Sequence, residues 1–468
     1  MRFAARTRGG SMATACIPQV TFQGEGFAKA VVARFDTPHA SSDGGAILLK
    51  AIDTQLGLTK RLAACLDDPR QPGKIQHQTL ELFRQRVFGI ACGYADCNDA
   101  ARLADDAIHK LLVDRDPIAG PALASQPTLS RFENAVGWRE LLTMGHELAE
   151  TVIEHQRRRR QGRAKRITID LDPTDDPTHG QQEFTFFNGH YDTWCYLPVV
   201  ATVTFDAEAE QYAVAVVLRP GNAPASLGAR GLLRRLIRQL RAAFRAPTIR
   251  VRLDGGFATP TMFTFLETQA VEYVVGMASN ARLEQRAQRL MGKARMRAKA
   301  SGRTEHLYGE TLYASQSWEH RRRVIIKAEV VRHPGRDPKN NPRFVVTNLP
   351  GAPQTIYEEV YCRRGDVENR LKELHHGLEM DRTSCARFLA NQFRVLFTLG
   401  AYLLFQELQR RARGTACADA QVTTLRERLL KLAVWVERSV RRIVLHLPAT
   451  FPWRSTWQHL ARAGGATT

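Results

Sequence analysis

The sequence predicts an α/β protein: a mixed β-sheet flanked by helices, preceded by a helical region and interrupted by a strand-rich insertion. Three observations carry this. Up to about residue 155 apolar residues recur at helical spacing, whereas from Arg166 they alternate or run in short blocks as strands do. Between Arg166 and Gly276 the order is three strands, helix, strand, helix, strand; the first three can pair as a meander and the last two require helical crossovers. Residues 280–348 then separate this block from a second helical one yet carry strands of their own, which marks a folded insertion.

A chain of 468 residues exceeds one small core and suits two or three domains. A hydrophobic share of 44% is ordinary for a globular protein and argues against general disorder. Lys plus Arg number 67 against 47 Asp plus Glu, a net charge of +20, which points to a polyanionic partner such as double-stranded DNA. Eight cysteines are scattered without a CxxC pair, the pattern of reduced thiols and not of a disulfide framework or zinc module. No apolar run is expected to span a membrane and no signal peptide is expected, which places the protein in the cytoplasm, on the nucleoid when bound to DNA.

In chain order, residues 1–40 lack a clear period and read as a poorly ordered lead-in. Residues 41–156 read as a helical N-terminal DNA-binding domain. It opens with the turn and cap signal Ser42-Asp43-Gly44-Gly45, continues through helices near 59–67, 77–92 and 97–113, and carries Arg131 on a short capped helix from Pro127, near phosphates if the domain grips DNA ends. Arg157 to Arg160 is the densest charge run, either a solvated linker or a backbone contact.

Residues 157–279 hold the first part of the sheet core: strands over 166–172, 194–205, 211–218, 249–254 and 271–276, with helices over 232–244 and 260–269. The basic insertion 280–348 has a helix over 282–299 and strands over 312–318, 323–331 and 343–347. Residues 349–412 complete the core with the helix carrying Glu368 and an apolar helix over 388–408. Residues 413–468 form a C-terminal helical tail, with a charged helix near 422–442.

The chemistry gathers in the Glu368 segment. At helical spacing Tyr361, Arg364, Glu368, Lys372 and His375 share one face, while Val367, Leu371, Leu374 and Leu378 form the apolar stripe that docks the helix. Arg364 and Glu368 could instead be a solvated i,i+4 pair. Two further carboxylates, Asp172 and Asp254, each end a predicted strand, and ends of neighbouring strands converge. Asp170 lies two residues before Asp172 on the same strand face and is the alternative first carboxylate. Asp175 and Asp176 read as turn residues. Three convergent oxygen donors suit Mg²⁺ or Mn²⁺, and a pair of such ions serves in-line displacement at phosphorus.

On Asp172-Pro173-Thr174-Asp175-Asp176-Pro177-Thr178-His179-Gly180, Asp254-Gly255-Gly256-Phe257, and Tyr361, Arg364 and Glu368, the sequence resembles the DDE transposases of bacterial insertion sequences. The resemblance is to the thirteen-eighty family, related to the insertion-sequence four group, and runs from about Ser41 to Leu408. It implies a ribonuclease H-like catalytic core and two divalent ions held by Asp172, Asp254 and Glu368. It also implies DNA contacts from Tyr361, Arg364 and Lys372, cleavage of transposon ends, 3′-hydroxyl strand transfer into target DNA, and a homodimer or higher assembly on DNA. At 375 the related group's lysine is replaced by His375, with Lys372 the nearest lysine on that face. The rival readings are an inactive transposase-derived DNA-binding protein, which would have no reason to keep three carboxylates, and a nuclease that stops after hydrolysis.

Overall fold

The computed structural model describes residues 19–23 and 26–467. Helices open the body at Ile47–Leu56 and Leu58–Ala63 and continue with α1 (Thr79–Ala91). A capping box starts α1, the Gln78 backbone N–H donating to Glu81 Oε2 at 2.8 Å. The helix α2 (Trp138–Arg159) buries Leu141, Met144, Leu148 and Val152 on one face, with Glu140 in its first turn and Arg157, Arg158 and Arg159 in its last, each charge suited to the helix dipole there. Both helices pack on the long helix Phe388–Arg411, where Phe83, Phe393 and Phe397 interlock with ring centroids 4.1 to 6.2 Å apart.

The nine-stranded sheet contains β1 (Arg166–Pro173), β2 (Val199–Phe205), β3 (Gln211–Val217), β4 (Thr248–Leu253), β5 (Glu272–Met277), β6 (Glu305–Tyr313), β7 (Arg322–Val331) and β8 (Arg343–Thr347), in the order β6-β7-β8-β5-β4-β1-β2-β3, with the short Lys339–Asn340 beside β7. Among the described residues the parallel pairings of this sheet are β1 with β4 and β4 with β5, and its other pairings are antiparallel. Strands β1 to β5 therefore lie 3-2-1-4-5 with β2 reversed, the ribonuclease H-like arrangement, and the fold is mixed α/β as the sequence predicts. The crossovers are α3 (Ala229–Ala243) and α4 (Pro260–Thr268). The insertion extends the same sheet: after α5 (Ala281–Ser301), β8 pairs with β5 and carries β7 and β6 outward.

Several expectations need correction. Within the lead-in 1–40, Gln19–Phe22 and Val31–Arg34 pair as an exposed hairpin and Ala40–Ser41 pairs with Val434–Trp435; residues 1–18 lie outside the described residues. The expected strand 194–205 is two, Thr193–Tyr196 and β2, because the first joins a small flap with Asp176–Pro177 and Phe186–Asn188. The strand expected at 312–318 lies earlier, as β6, and Trp318 sits beyond it, buried between the exposed residues of a turn. In the tail, the helix expected near 422–442 stops at Leu430 and Val434–Arg438 turns back on Ile443–His446, since Val434 and Val436 alternate with exposed neighbours; helix resumes at Arg454–Ala463. The Phe388–Arg411 helix is, by length and composition, long and apolar enough to cross a membrane. Its most apolar window is 83% buried against α1, α2 and β3, the surroundings of a core helix.

Candidate active site

Strand register brings the two aspartates together. Arg252 lies opposite Asp170 and Leu253 opposite Leu171 in the parallel pairing of β4 with β1, so the next residues, Asp254 and Asp172, come side by side, Asp254 just past the end of β4 and Asp172 still paired with Val200 of β2. Asp254 caps the turn that follows, accepting from the Gly256 N–H at 2.9 Å. Gly256 is required there, because a Cβ would meet the Ala225 methyl at 2.8 Å.

The third carboxylate comes from a helical rod over Pro353–Gly377. Its backbone is π-helical over Ile356–Tyr361, 3₁₀ over Cys362–Gly365, α over Asp366–Lys372 and π again over Glu373–Gly377. Val367, Leu374 and Leu378 are buried as the apolar stripe predicts, and Leu371 is half-buried against the same core. Glu368 is exposed on the cleft side. Arg364 does not pair with it: the Arg364 Nη1 donates to Asp172 Oδ2 at 3.0 Å. Tyr361 is half-buried, its hydroxyl lying where a Cβ on Gly276 would be 2.5 Å away, so this glycine of β5 admits the ring.

Charge couples these groups. Burial, with the Asp254 and Glu368 charges added, pushes the Asp172 carboxyl up to about 6, against the pull of Arg364. Burial raises Tyr361 as well, with Asp254 adding to it and Arg364 opposing. The donor set of three carboxylates, with no nitrogen or sulfur ligand, fits hard divalent cations. Among the described residues the one His/Cys/Asp/Glu set whose ligand atoms all lie within 4.8 Å of one another is elsewhere: Asp43, Cys92 and His109. There Lys431 Nζ lies 2.7 Å from Asp43 Oδ1 and His109 Nε2 lies 3.0 Å from Asp43 Oδ2, so side chains of the protein already serve that carboxylate.

The remaining candidates divide. Asp170 is buried with both oxygens taken, by Arg252 Nε and Nη2 at 2.7 Å each. Lys372 is exposed at the end of the α segment, and His375 Nε2 lies 3.1 Å from the Thr174 hydroxyl just past Asp172. Arg131 is not part of this site; it lines a separate cavity of about 440 Å³ with Arg70, Lys74 and His77. Asp176 is no turn residue: it is buried against the Thr383 hydroxyl at 3.0 Å, and burial, with Asp381 and Asp175, pushes it up to about 8.

Two neighbours were not legible in the sequence. Arg219 is buried after β3, donates through Nε to Leu197 O at 2.7 Å and through Nη1 to Ala225 O at 2.8 Å, and leaves Nη2 without a hydrogen-bond partner among the described residues. Burial pulls it down to about 10, while the Tyr191 and Asp254 charges act to raise it. Tyr191, from the flap, is raised by burial and by Asp175, Asp172 and Asp254. Both reach the cleft through tertiary packing, for which no local pattern exists.

A family model described as transposase DDE domain group 1 matches residues 23–463. The chain belongs to this transposase family. No curated protein matches it.

Proposed function

We propose that this transposase cuts DNA at the ends of an insertion sequence and joins the freed 3′ hydroxyl to target DNA, with Asp172, Asp254 and Glu368 as the catalytic carboxylates and Asp170 as a structural one. The thirteen-eighty family is the proposed branch. The observation that supports this reading best is the pairing of β1 with β4, which sets Asp172 and Asp254 adjacent at parallel strand ends with Arg364 and Glu368 above them. Two Mg²⁺ or Mn²⁺ ions held there would supply Lewis-acid activation of the attacking oxygen and stabilise the leaving one.

The protein's own groups orient the substrate. The Arg364 guanidinium, now on Asp172, can turn to a phosphate oxygen of the scissile strand, and a planar fork suits that ligand. Tyr361 stands over Gly276 with its hydroxyl available to the backbone beside Asp254. Lys372, exposed one turn beyond Glu368, adds a phosphate contact, and Arg131 adds another from the helical region 41–156. Two or more copies assemble on paired ends, and the protein works in the cytoplasm, on the nucleoid. The retained carboxylates favour catalysis over an inactive DNA-binding role.

Asp172→Ala, Asp254→Ala and Glu368→Ala should each abolish Mg²⁺-dependent cleavage of a plasmid carrying the element's ends while leaving end binding largely intact. Substantial nicking by the Glu368→Ala protein would overturn the assignment. Joining of a pre-cleaved end to a second duplex separates a transposase from a nuclease that only hydrolyses.

A further inference from the structure

The densest charge run in the sequence is not the freest positive surface. Arg158 pairs with Glu154, Arg159 with Glu208 at 2.8 Å, and Arg160 with Asp206 at 2.8 Å. On α3 the balance differs. Arg230, Arg234, Arg238 and Arg241 are exposed on one face, opposite buried Leu233, Leu236, Ile237 and Leu240. Among the described residues none of the four has a carboxylate within 4.0 Å, although Arg234 lies over the Phe265 ring and Arg241 donates to Gln269 O. Like charges four apart on a helix each cost a few tenths of a kcal/mol, so this face is held against its own repulsion.

The neighbouring helix supplies a second wall. Between α3 and α4 runs a groove of about 500 Å³ whose lining includes Arg230, Arg234, Thr261, Thr264, Thr268 and Gln269. The carboxylate of α4, Glu267, is not among the lining residues and is held by Arg322 Nε and Nη2 at 2.7 Å each. Arg322 itself lines the groove, is 4% exposed, and leaves Nη1 without a hydrogen-bond partner among the described residues. The hydroxyls and guanidinium groups together offer donors and no competing acceptor of full charge except Glu319.

The groove's helix begins at the catalytic cleft. The loop before α3 packs on the turn after Asp254, as the approach of Ala225 to Gly256 shows. From Arg230 to Arg241 the ladder then rises about 16 Å, at about 6 Å per four residues, beside a polymer that carries one phosphate per about 3.4 Å on each strand.

We propose that the exposed face of α3, with the hydroxyl wall of α4, is a track for the backbone of duplex DNA entering the catalytic cleft from the Asp254 side. This rests on the proposed function for the identity of the polyanion as DNA. The track lies outside the carboxylate site and makes no contact with reacting atoms.

The test is duplex binding by the full-length protein across a salt series, followed by fluorescence anisotropy. In the quadruple variant Arg230→Ser, Arg234→Ser, Arg238→Ser, Arg241→Ser the slope of log affinity against log salt should fall by about 3 to 4, since each neutralised phosphate contributes about 0.9. Lysine at the same four positions should keep the wild-type slope. An unchanged slope in the serine variant, or loss of slope in the lysine variant, overturns the track. A wild-type protein with almost no salt dependence would instead sink the DNA reading itself. The melting temperature of the serine variant should match or exceed wild type, and a loss of slope accompanied by a lowered melting temperature would also count against the track.

Discussion

Asp170 and Asp172 stand two residues apart on one strand face, and their fates are opposite. Asp170 lies where β4 sets Arg252 directly across, so its charge is met by a two-pronged guanidinium inside the sheet. Asp172 lies one step past the last such pairing and faces Asp254 and Glu368. The sequence contains both residues but not the register that separates them. Asp172 is held at about 6 in the folded protein against an ordinary value of 3.8, so the folded state takes up its proton more readily than the unfolded chain. Its charge is therefore neutral in effect below about pH 4 and destabilising above about pH 6, by an amount of order 1 to 3 kcal/mol. Asp172→Asn should raise the melting temperature at pH 7, with the gain shrinking toward zero by pH 4. Mg²⁺ should raise the melting temperature of the wild type and do so less for the variant, because a bound cation relieves the same repulsion. A melting series over pH, with and without Mg²⁺, checks both; a variant less stable than wild type at pH 7 would show that Asp172 is a structural anchor.

At the scale of the element, the Glu368 helix shows what period reading achieves and where it stops. The stripe of Val367, Leu374 and Leu378 and the polar face of Tyr361, Arg364 and Glu368 were legible because their spacing averages to a helix turn. The π and 3₁₀ turns were not, since a few degrees of pitch leave no mark in residue type, and they decide that Arg364 reaches Asp172 and not Glu368. The core strands were legible for the same reason as the stripe. The hairpin Val434–Arg438 with Ile443–His446 was not, because half of its support is a distant partner, Ala40–Ser41. Leu374 tests how far the helix's docking governs the site. It is fully buried, so Leu374→Ala should cost about 2 to 5 kcal/mol as lost transfer energy plus cavity. Chemical denaturation should show the shifted midpoint with an unchanged slope, and cleavage at a temperature where the variant stays folded should fall as Glu368 loosens. Full cleavage activity together with that stability loss would mean that Glu368 is positioned from elsewhere.

Across the whole molecule one continuous apolar cluster runs from Ala46 to Leu460, so helices of the N-terminal region, the sheet and the tail share a core. Their meeting point is polar. Asp43 is fully buried, with His109 from the helical region on one oxygen and Lys431 from the tail on the other. Next to it Gly44 N donates to Leu432 O at 2.9 Å, which ties the turn before the first helix to the C-terminal tail. Burial alone would raise the Asp43 carboxyl, and His109 and Lys431 outweigh that, holding it below its ordinary 3.8. A group depressed in this way contributes stability that is complete above the unfolded value and lost as pH falls through the folded one. Lys431→Met should therefore destabilise by about 1 to 3 kcal/mol at pH 7, the cost of leaving the buried Asp43 charge with His109 alone, reduced because Lys431 is partly exposed. The deficit relative to wild type should narrow below about pH 4, as the variant's Asp43 takes up a proton and no longer needs a cation. Because the three regions share the core, the loss should appear as one cooperative transition at lower temperature. Calorimetry of the variant at neutral and acid pH checks this, and two separated transitions would show that the tail and the N-terminal helices fold independently of the sheet.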